Sequence, residues 1–180
     1  MSQSFYAIGI DFGTHNIGLA VGQSITGTAS PLITLKFVAR PSTQPKQPKL
    51  AKQKKPAHAQ KILPWEQLLK ILDEWQPKHI VIGLPLGLDG EEQAITKKTR
   101  QFAKQLASKL VASNLLIDPQ PEVQAKPATS IHLIDERYTS QAAEAFHSKK
   151  QPKNKQGHDR DAFAAVLILE SWFAQDTTAL

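Results

Sequence analysis

Residues 5–12, FYAIGIDF, decide the fold, because they predict a short strand that is buried on both faces. Side chains alternate between the two faces of a strand. The larger apolar residues share one face: Ile8, Ile10 and Phe12. Asp11 shares the other, crowded face with the small residues Ala7 and Gly9. The sequence therefore predicts a core strand that carries a carboxylate.

The elements after this strand continue an antiparallel sheet. Turn chemistry at residues 13–16, GTHN, precedes the strand-like segments IGLAVGQ and PLITLKFVA, which with the first strand make an antiparallel meander. Farther along, apolar residues recur at helical spacing from Trp65 to Trp75. Pro77 ends this helix before the apolar strand HIVIGLPL.

Helices and strands alternate in the second half of the chain. Asp89 and Glu92 are spaced as a capping box for a helix that runs to about Ser113. The strand SIHLID follows, and a last helix, apolar nearly all round, begins near Asp161. This order predicts an α/β protein with a mixed sheet, an antiparallel three-strand meander and helices on its faces.

The length of 180 residues and a hydrophobic content of 41% suit a single domain with a substantial core. Two proline-bearing stretches interrupt it, a Lys/Pro-rich flexible insertion at about 41–61 and a loop at about 118–129. The insertion holds six lysines and no acidic residue. Its charge of +6 equals the net charge of the whole chain. The basicity is therefore local, and it indicates an acidic partner.

The composition also restricts compartment and metal chemistry. The chain has no cysteine, so a metal must be held by oxygen or imidazole ligands, and a reducing cytosol suits it. The N-terminus lacks the features of a signal peptide, and no run is long enough to cross a bilayer. We expect a cytoplasmic protein with no membrane partner.

Acidic residues stand at the ends or faces of predicted core elements. Each has a structural explanation on its own: a hydrogen-bonded carboxylate for Asp11, a solvated strand end for Asp135 and Glu136, an N-cap for Asp161. If the first strand is central, however, Asp11, Glu136 and Asp161 meet at one edge of the sheet. The set then forms one acidic pocket.

Such a pocket requires protons or a cation. Two carboxylates about 4 Å apart repel by roughly 4 kcal/mol at an effective dielectric near 20. Mg²⁺ and Mn²⁺ prefer oxygen ligands, and two such ions can activate a water and neutralise a leaving oxygen. In a chain without cysteine, this is the metal site that the residues favour.

Four motifs occur along the chain in a characteristic order: IGIDFGT with IGLAVG, IGLPL with Asp89-Gly90, DERYTS, and Asp161 leading into AAVLILES. Together they resemble the YqgF/RuvX family, and they span nearly the whole chain outside the two loops. That family is described as candidate pre-16S rRNA nucleases with an RNase H-like fold, related to the RuvC Holliday junction resolvases. His15 departs from its pattern, since a Lys or Arg usually follows the GT turn.

The resemblance implies a metal-dependent endonuclease that processes the 5′ end of pre-16S rRNA during ribosome biogenesis. It implies that Asp11, Glu136 and Asp161 are catalytic acids that bind Mg²⁺ or Mn²⁺. Asp135 is a fourth candidate ligand, although a neighbouring strand residue should point to the opposite face. The partner would be nucleic acid, either pre-16S rRNA within a ribosomal precursor or branched DNA.

Residues near the acids are candidates for binding nucleic acid. Arg137 and Thr139 could contact a phosphate, and an arginine at this place could equally anchor the acids through a salt bridge. The segment 147–160, just before Asp161, adds further candidates, whose charge attracts a phosphate backbone without reading sequence. These are Lys149, Lys150, Lys153, Lys155 and Arg160.

Three alternatives to an rRNA nuclease remain open. A Holliday junction resolvase would use the same metal chemistry. An actin/Hsp70-like ATPase or kinase is suggested by IDFGTHNIGLAVG, which resembles the first phosphate loop of that superfamily, but 180 residues hold one such domain where two are needed to clasp ATP. A non-catalytic RNA-binding assembly factor would keep the fold without turnover, and the presence of all three acids speaks against it.

Overall fold

The computed structural model describes residues 4–39, 61–115, 129–137 and 158–176. The helices and strands follow the predicted order. They are β1 (Tyr6–Phe12), β2 (Asn16–Gln23), β3 (Thr28–Lys36), β4 (Val38–Ala39), β5 (Lys61–Ile62), α1 (Trp65–Trp75), β6 (His79–Leu84), α2 (Ala94–Leu115), β7 (Ser130–Asp135) and α3 (His158–Asp176).

Within the described ranges, five strands form one mixed sheet in the order β3-β2-β1-β6-β7. β1 pairs antiparallel with β2, and β2 pairs antiparallel with β3, so the predicted meander is confirmed. β1 pairs parallel with β6, and β6 pairs parallel with β7. The first strand is therefore central, and the architecture is the RNase H-like fold predicted from the sequence.

The two faces of the sheet are covered by different helices, as predicted. On one face, the side chains of Ile8 and Ile10 pack with Leu68 of α1 and Phe102 of α2. On the other face, Ala7 and Val81 pack with Ile168, Leu169 and Phe173, all from α3. A strand whose two faces are both buried needs apolar or small residues on each side, which is the pattern of FYAIGIDF.

α3 packs directly on the backbone of the sheet because the strands beneath it carry glycines. A Cβ on Gly9 would come within 2.5 Å of the backbone oxygen of Ala165, and one on Gly22 within 2.7 Å of the Phe173 ring. Neither distance is compatible with a side chain. The small face of β1 and β2 therefore determines how near the helix can approach.

Two helices begin elsewhere than predicted. α2 begins at Ala94, and Asp89 does not cap it: its Oδ1 accepts a hydrogen bond from the Glu91 N–H at 3.0 Å. The buried side chain of Thr96 replaces the predicted capping box, since its hydroxyl accepts the Gln93 N–H at 3.0 Å and donates to the carbonyl of Pro85. α3 begins at His158, one turn before Asp161, so Asp161 lies inside the helix and is not its N-cap.

The base of the predicted Lys/Pro insertion is closed by a short antiparallel pairing of β4 with β5, with Val38 opposite Ile62. Residues 40–60 of that insertion and 116–128 of the second predicted loop lie outside the described residues. Among the helices of the described part, none has the length and apolar character that a membrane span requires.

Candidate active site

Asp11 lies near the end of β1, on the face that α3 covers. Its register partner on β2 is Gly18, and the backbone carbonyl of Asp161 occupies the space that a side chain on Gly18 would need. The first turn of α3 therefore rests on the strand beside Asp11. This contact brings Asp161 to Asp11 across 150 residues of sequence.

Glu136 reaches the same face from the end of β7. Its backbone N–H donates to the Leu84 carbonyl at 3.3 Å, which extends the pairing of β6 with β7 by one residue. Its carboxylate, together with the Ile168 side chain, fills the space where Gly83 has no side chain. A glycine on β6 thus makes room for the acid between β7 and β1.

The charges of these acids influence one another. Burial and, secondarily, the negative charge of Asp161 raise the pKa of Asp11 to about 6. Burial, followed by the charges of Asp11 and Asp135, raises the pKa of Glu136 to about 7. Proximity of like charges and loss of water both disfavour the ionised forms, so the pocket favours a proton or a cation.

Asn16 positions Asp161, a role that the sequence analysis missed. Its Nδ2 donates to Asp161 Oδ2 at 2.9 Å, and both groups are partly buried. The sequence predicted this asparagine only as the last residue of the GTHN turn. Nothing local in the sequence indicates a contact between residues so far apart in the chain.

Asp135 and Arg137 form a pair of their own. The Arg137 Nε donates to both carboxylate oxygens of Asp135, at 3.1 and 3.0 Å, and Nη2 donates to Oδ2 at 2.6 Å. These hydrogen bonds lower the pKa of Asp135. Asp135 is in register with Leu84, whereas its neighbour Glu136 lies against Gly83. The geometry shows the salt bridge that was one of the two alternatives for Arg137, and it places Asp135 on the opposite face from Asp11.

Of the other residues predicted to bind nucleic acid, the structure describes only Arg160. Arg160 is exposed in the first turn of α3, next to Asp161. The remaining candidates lie outside the described residues: Thr139, Lys149, Lys150, Lys153 and Lys155.

A second polar cluster lies at the other end of the sheet. His79 Nδ1 and His132 Nε2 are 3.0 Å apart, and both rings contact Trp172 of α3. These two histidines are 53 residues apart in the chain and meet through the β6–β7 pairing. His79 begins β6, whereas Gly83, which contacts the Glu136 carboxylate, lies near the end of that strand.

Comparison with known proteins gives the family. A family model described as "RuvX: Holliday junction resolvase" matches residues 38–175. A protein of Glaesserella parasuis, named as a candidate pre-16S rRNA nuclease, is 37% identical over 178 residues, which are 98% of this chain and 100% of that protein. A protein of Shewanella oneidensis with the same name is 36% identical and covers 92% of each chain.

Among solved structures, Thermus thermophilus RuvC in complex with a Holliday junction substrate is similar, with a TM-score of 0.49 and 16% identity over 97% of this chain and 96% of that one. The family model covers most of the sequence, and both relatives align over at least 92% of it. The chain therefore belongs to the RuvX family of nucleases.

Proposed function

We propose that this RuvX protein is a divalent-metal-dependent endonuclease of the cytoplasm that trims the 5′ end of pre-16S rRNA. The observation that carries the proposal is that the Asp161 backbone rests on Gly18, the strand partner of Asp11, while the Glu136 carboxylate lies against Gly83 on the same face of the sheet. The raised pKa values of Asp11 and Glu136 agree with this gathering of acids. Perturbed carboxylates gathered at one place are typical of functional sites. The names of the relatives support rRNA as the substrate.

The donor chemistry of the pocket fits Mg²⁺ or Mn²⁺, because all three side chains offer oxygen ligands and their mutual repulsion is relieved by positive charge. Within the described ranges, no three histidine or acidic side chains already converge closely enough to hold an ion. Capture of a cation would thus draw the carboxylates of Asp11, Glu136 and Asp161 together. When bound, a divalent cation supplies Lewis acidity toward water and neutralises charge on the phosphate.

The protein's own residues would divide the work. Asp11, on the rigid central strand, holds the middle position between the other two acids. Asn16 keeps the Asp161 carboxylate oriented through its 2.9 Å hydrogen bond. Glu136 would offer its carboxylate to the cation, and because its pKa is about 7 without metal, cation binding near neutral pH would displace a proton from it.

A second substrate deserves a direct comparison, because the matching family model is described as a Holliday junction resolvase. The same acids would serve cleavage of branched DNA. Family membership favours either nuclease over the ATPase alternative, and the complete set of acids favours catalysis over a purely binding role.

The test uses the full chain with precursor rRNA and with four-way DNA junctions, each with and without Mn²⁺. We expect Mn²⁺-dependent cleavage of the RNA at its 5′ side by the wild type and none by Asp11→Asn. Asp73→Asn, an exposed acid on α1, is the matched control and should cleave normally. Undiminished cleavage by Asp11→Asn would refute the active-site assignment, and cleavage of junctions alone would move the substrate to DNA.

A further inference from the structure

The helix α2 carries an unusual charge pattern. Its 22 residues include five basic side chains and no acidic one. The basic residues are Lys97, Lys98, Arg100, Lys104 and Lys109. None of them belongs to the segments in which the sequence analysis placed nucleic-acid ligands.

The face of α2 that points away from the sheet is built from these charges. Thr96, Thr99, Phe102 and Leu106 are buried against the core. At about 100° per residue, Lys97 and Lys104 lie opposite that buried stripe. The other exposed polar residues on this side of the helix offer hydrogen-bond donors and no negative charge: Gln101, Gln105 and Ser108.

Only part of this charge is satisfied within the described part of the protein. Arg100 Nε pairs with Glu92 Oε1 at 2.8 Å, and Lys109 Nζ lies 5.0 Å from the centre of the Trp65 ring. Lys97, Lys98 and Lys104 form no ion pair with any residue that the structure describes, and all three are exposed.

The pattern does not stabilise the helix. Lys97, Lys98 and Arg100 lie in the first two turns, where the helix dipole favours negative charge. Arg100 and Lys104 are like charges four residues apart, which repel on a helix surface. The Glu92 pair offsets this cost only at Arg100. An anionic partner accounts for lysines that the helix itself does not need.

The position of α2 identifies that partner. β6 ends at Leu84, next to Gly83, which contacts the Glu136 carboxylate. The following loop contains Gly90, where an added Cβ would lie 3.1 Å from the Arg137 guanidinium. α2 begins four residues later, at Ala94. The basic first turns of α2 therefore start at the same edge of the sheet as the acids and lead away over the opposite face.

We propose that Lys97, Lys98 and Lys104 form a phosphate-binding surface that holds the backbone of the RNA substrate on one flank of the cleavage site. The proposal rests on the nuclease function proposed above. Lysines suit this task because they neutralise phosphates without reading bases, and their contribution is strongly dependent on salt.

The test compares Lys97→Gln/Lys104→Gln with Lys70→Gln/Lys78→Gln, which removes two exposed lysines elsewhere, one on α1 and one just before β6. Binding of a fluorescein-labelled RNA duplex to the full chain is measured by anisotropy in EDTA over a salt series, so that no cleavage is needed. We expect about tenfold weaker binding by the α2 variant and a salt dependence whose slope is smaller by about 2, one for each lost phosphate contact. The control should match the wild type.

The proposal is overturned if the α2 variant binds RNA with the same affinity and the same salt slope as the wild type. It is also overturned if both double variants lose affinity equally, or if the wild type binds no RNA. Thermal unfolding checks the fold, and the α2 variant should be at least as stable as the wild type, since glutamine is also a good helix former. Selective loss of binding in a protein that never cleaves RNA would uphold the surface and reject the nuclease function.

Discussion

Gly18 and Asp161 are in direct contact, with the backbone carbonyl of Asp161 seated where a side chain at Gly18 would lie. Gly18 is also the strand partner of Asp11. Gly18 thus affects both how closely the first turn of α3 approaches the sheet and how far apart two candidate catalytic acids lie. Packing and chemistry are coupled at this position.

Replacement of Gly18 by alanine should therefore damage the site and the fold together. The added methyl group must push the first turn of α3 away, at a cost of about 1–3 kcal/mol in the free energy of unfolding. Nuclease activity should fall at least tenfold, because Asp161 moves with the helix. Gly27→Ala is the control: its φ of 63° makes alanine strained, but nothing lies within 4 Å, so stability should drop and activity should stay. Full activity of Gly18→Ala would contradict the coupling.

Removal of the Asn16 amide should weaken the hold on Asp161. A hydrogen bond to a charged group contributes about 1.5–3 kcal/mol, so Asn16→Ala should lower activity about tenfold and raise the Mn²⁺ concentration needed for half-maximal cleavage. Asn16→Asp should be worse, because it adds a further negative charge to the pocket. A metal titration of cleavage measures both. If the two variants behave alike, the 2.9 Å contact does not orient Asp161.

A double-mutant cycle can distinguish two roles of Arg137, the salt bridge to Asp135 and contact with a substrate phosphate. If Arg137 acts by holding Asp135, Arg137→Ala should reduce cleavage in the wild-type background and have little further effect in Asp135→Ala. The pair's coupling in the free energy of unfolding should be about 1 kcal/mol, since the Arg137 side chain is 36% exposed. An equal loss of cleavage in both backgrounds would instead show that Arg137 contacts the substrate.

The raised pKa values predict a distinctive pH dependence of stability in EDTA. Asp11 and Glu136 titrate at about 6 and 7 in the folded protein, above their ordinary values of 3.8 and 4.5. The folded state therefore binds their protons more tightly, and this stabilisation is complete below pH about 4 and is lost as the pH rises through 6 and 7. The loss should be on the order of 1–3 kcal/mol after allowance for solvent screening.

Asp11→Asn isolates this effect from other titrating groups. The variant should be more stable than the wild type in EDTA above neutral pH, and the difference should vanish in acid. Mn²⁺ should raise the melting temperature of the wild type at the higher pH and have a much smaller effect on the variant. Thermal unfolding of both proteins is measured once in acid and once above neutral pH. If the wild type gains stability relative to Asp11→Asn as the pH rises, the raised pKa of Asp11 is contradicted.

Much of the fold follows from local patterns that strand and helix geometry explain. The alternation in FYAIGIDF predicts a strand with two buried faces, and the spacing from Trp65 to Trp75 predicts α1 with its correct bounds. The predicted helix starts were less accurate. The start of α2 is held by a hydrogen bond from the Thr96 hydroxyl to the Pro85 carbonyl across a loop, whereas Asp89 accepts a hydrogen bond within that loop.

The sequence by itself determined the order of elements, the placement of Asp11 on the small face of β1, and the opposite orientations of Asp135 and Glu136, since these depend on a period of two along a strand. Only the tertiary structure decided that α3 rests on Gly18, that Asn16 holds Asp161, and that Arg137 pairs with Asp135. Those relationships join groups through packing and side-chain geometry, and no local pattern encodes the distance between two residues far apart in the chain.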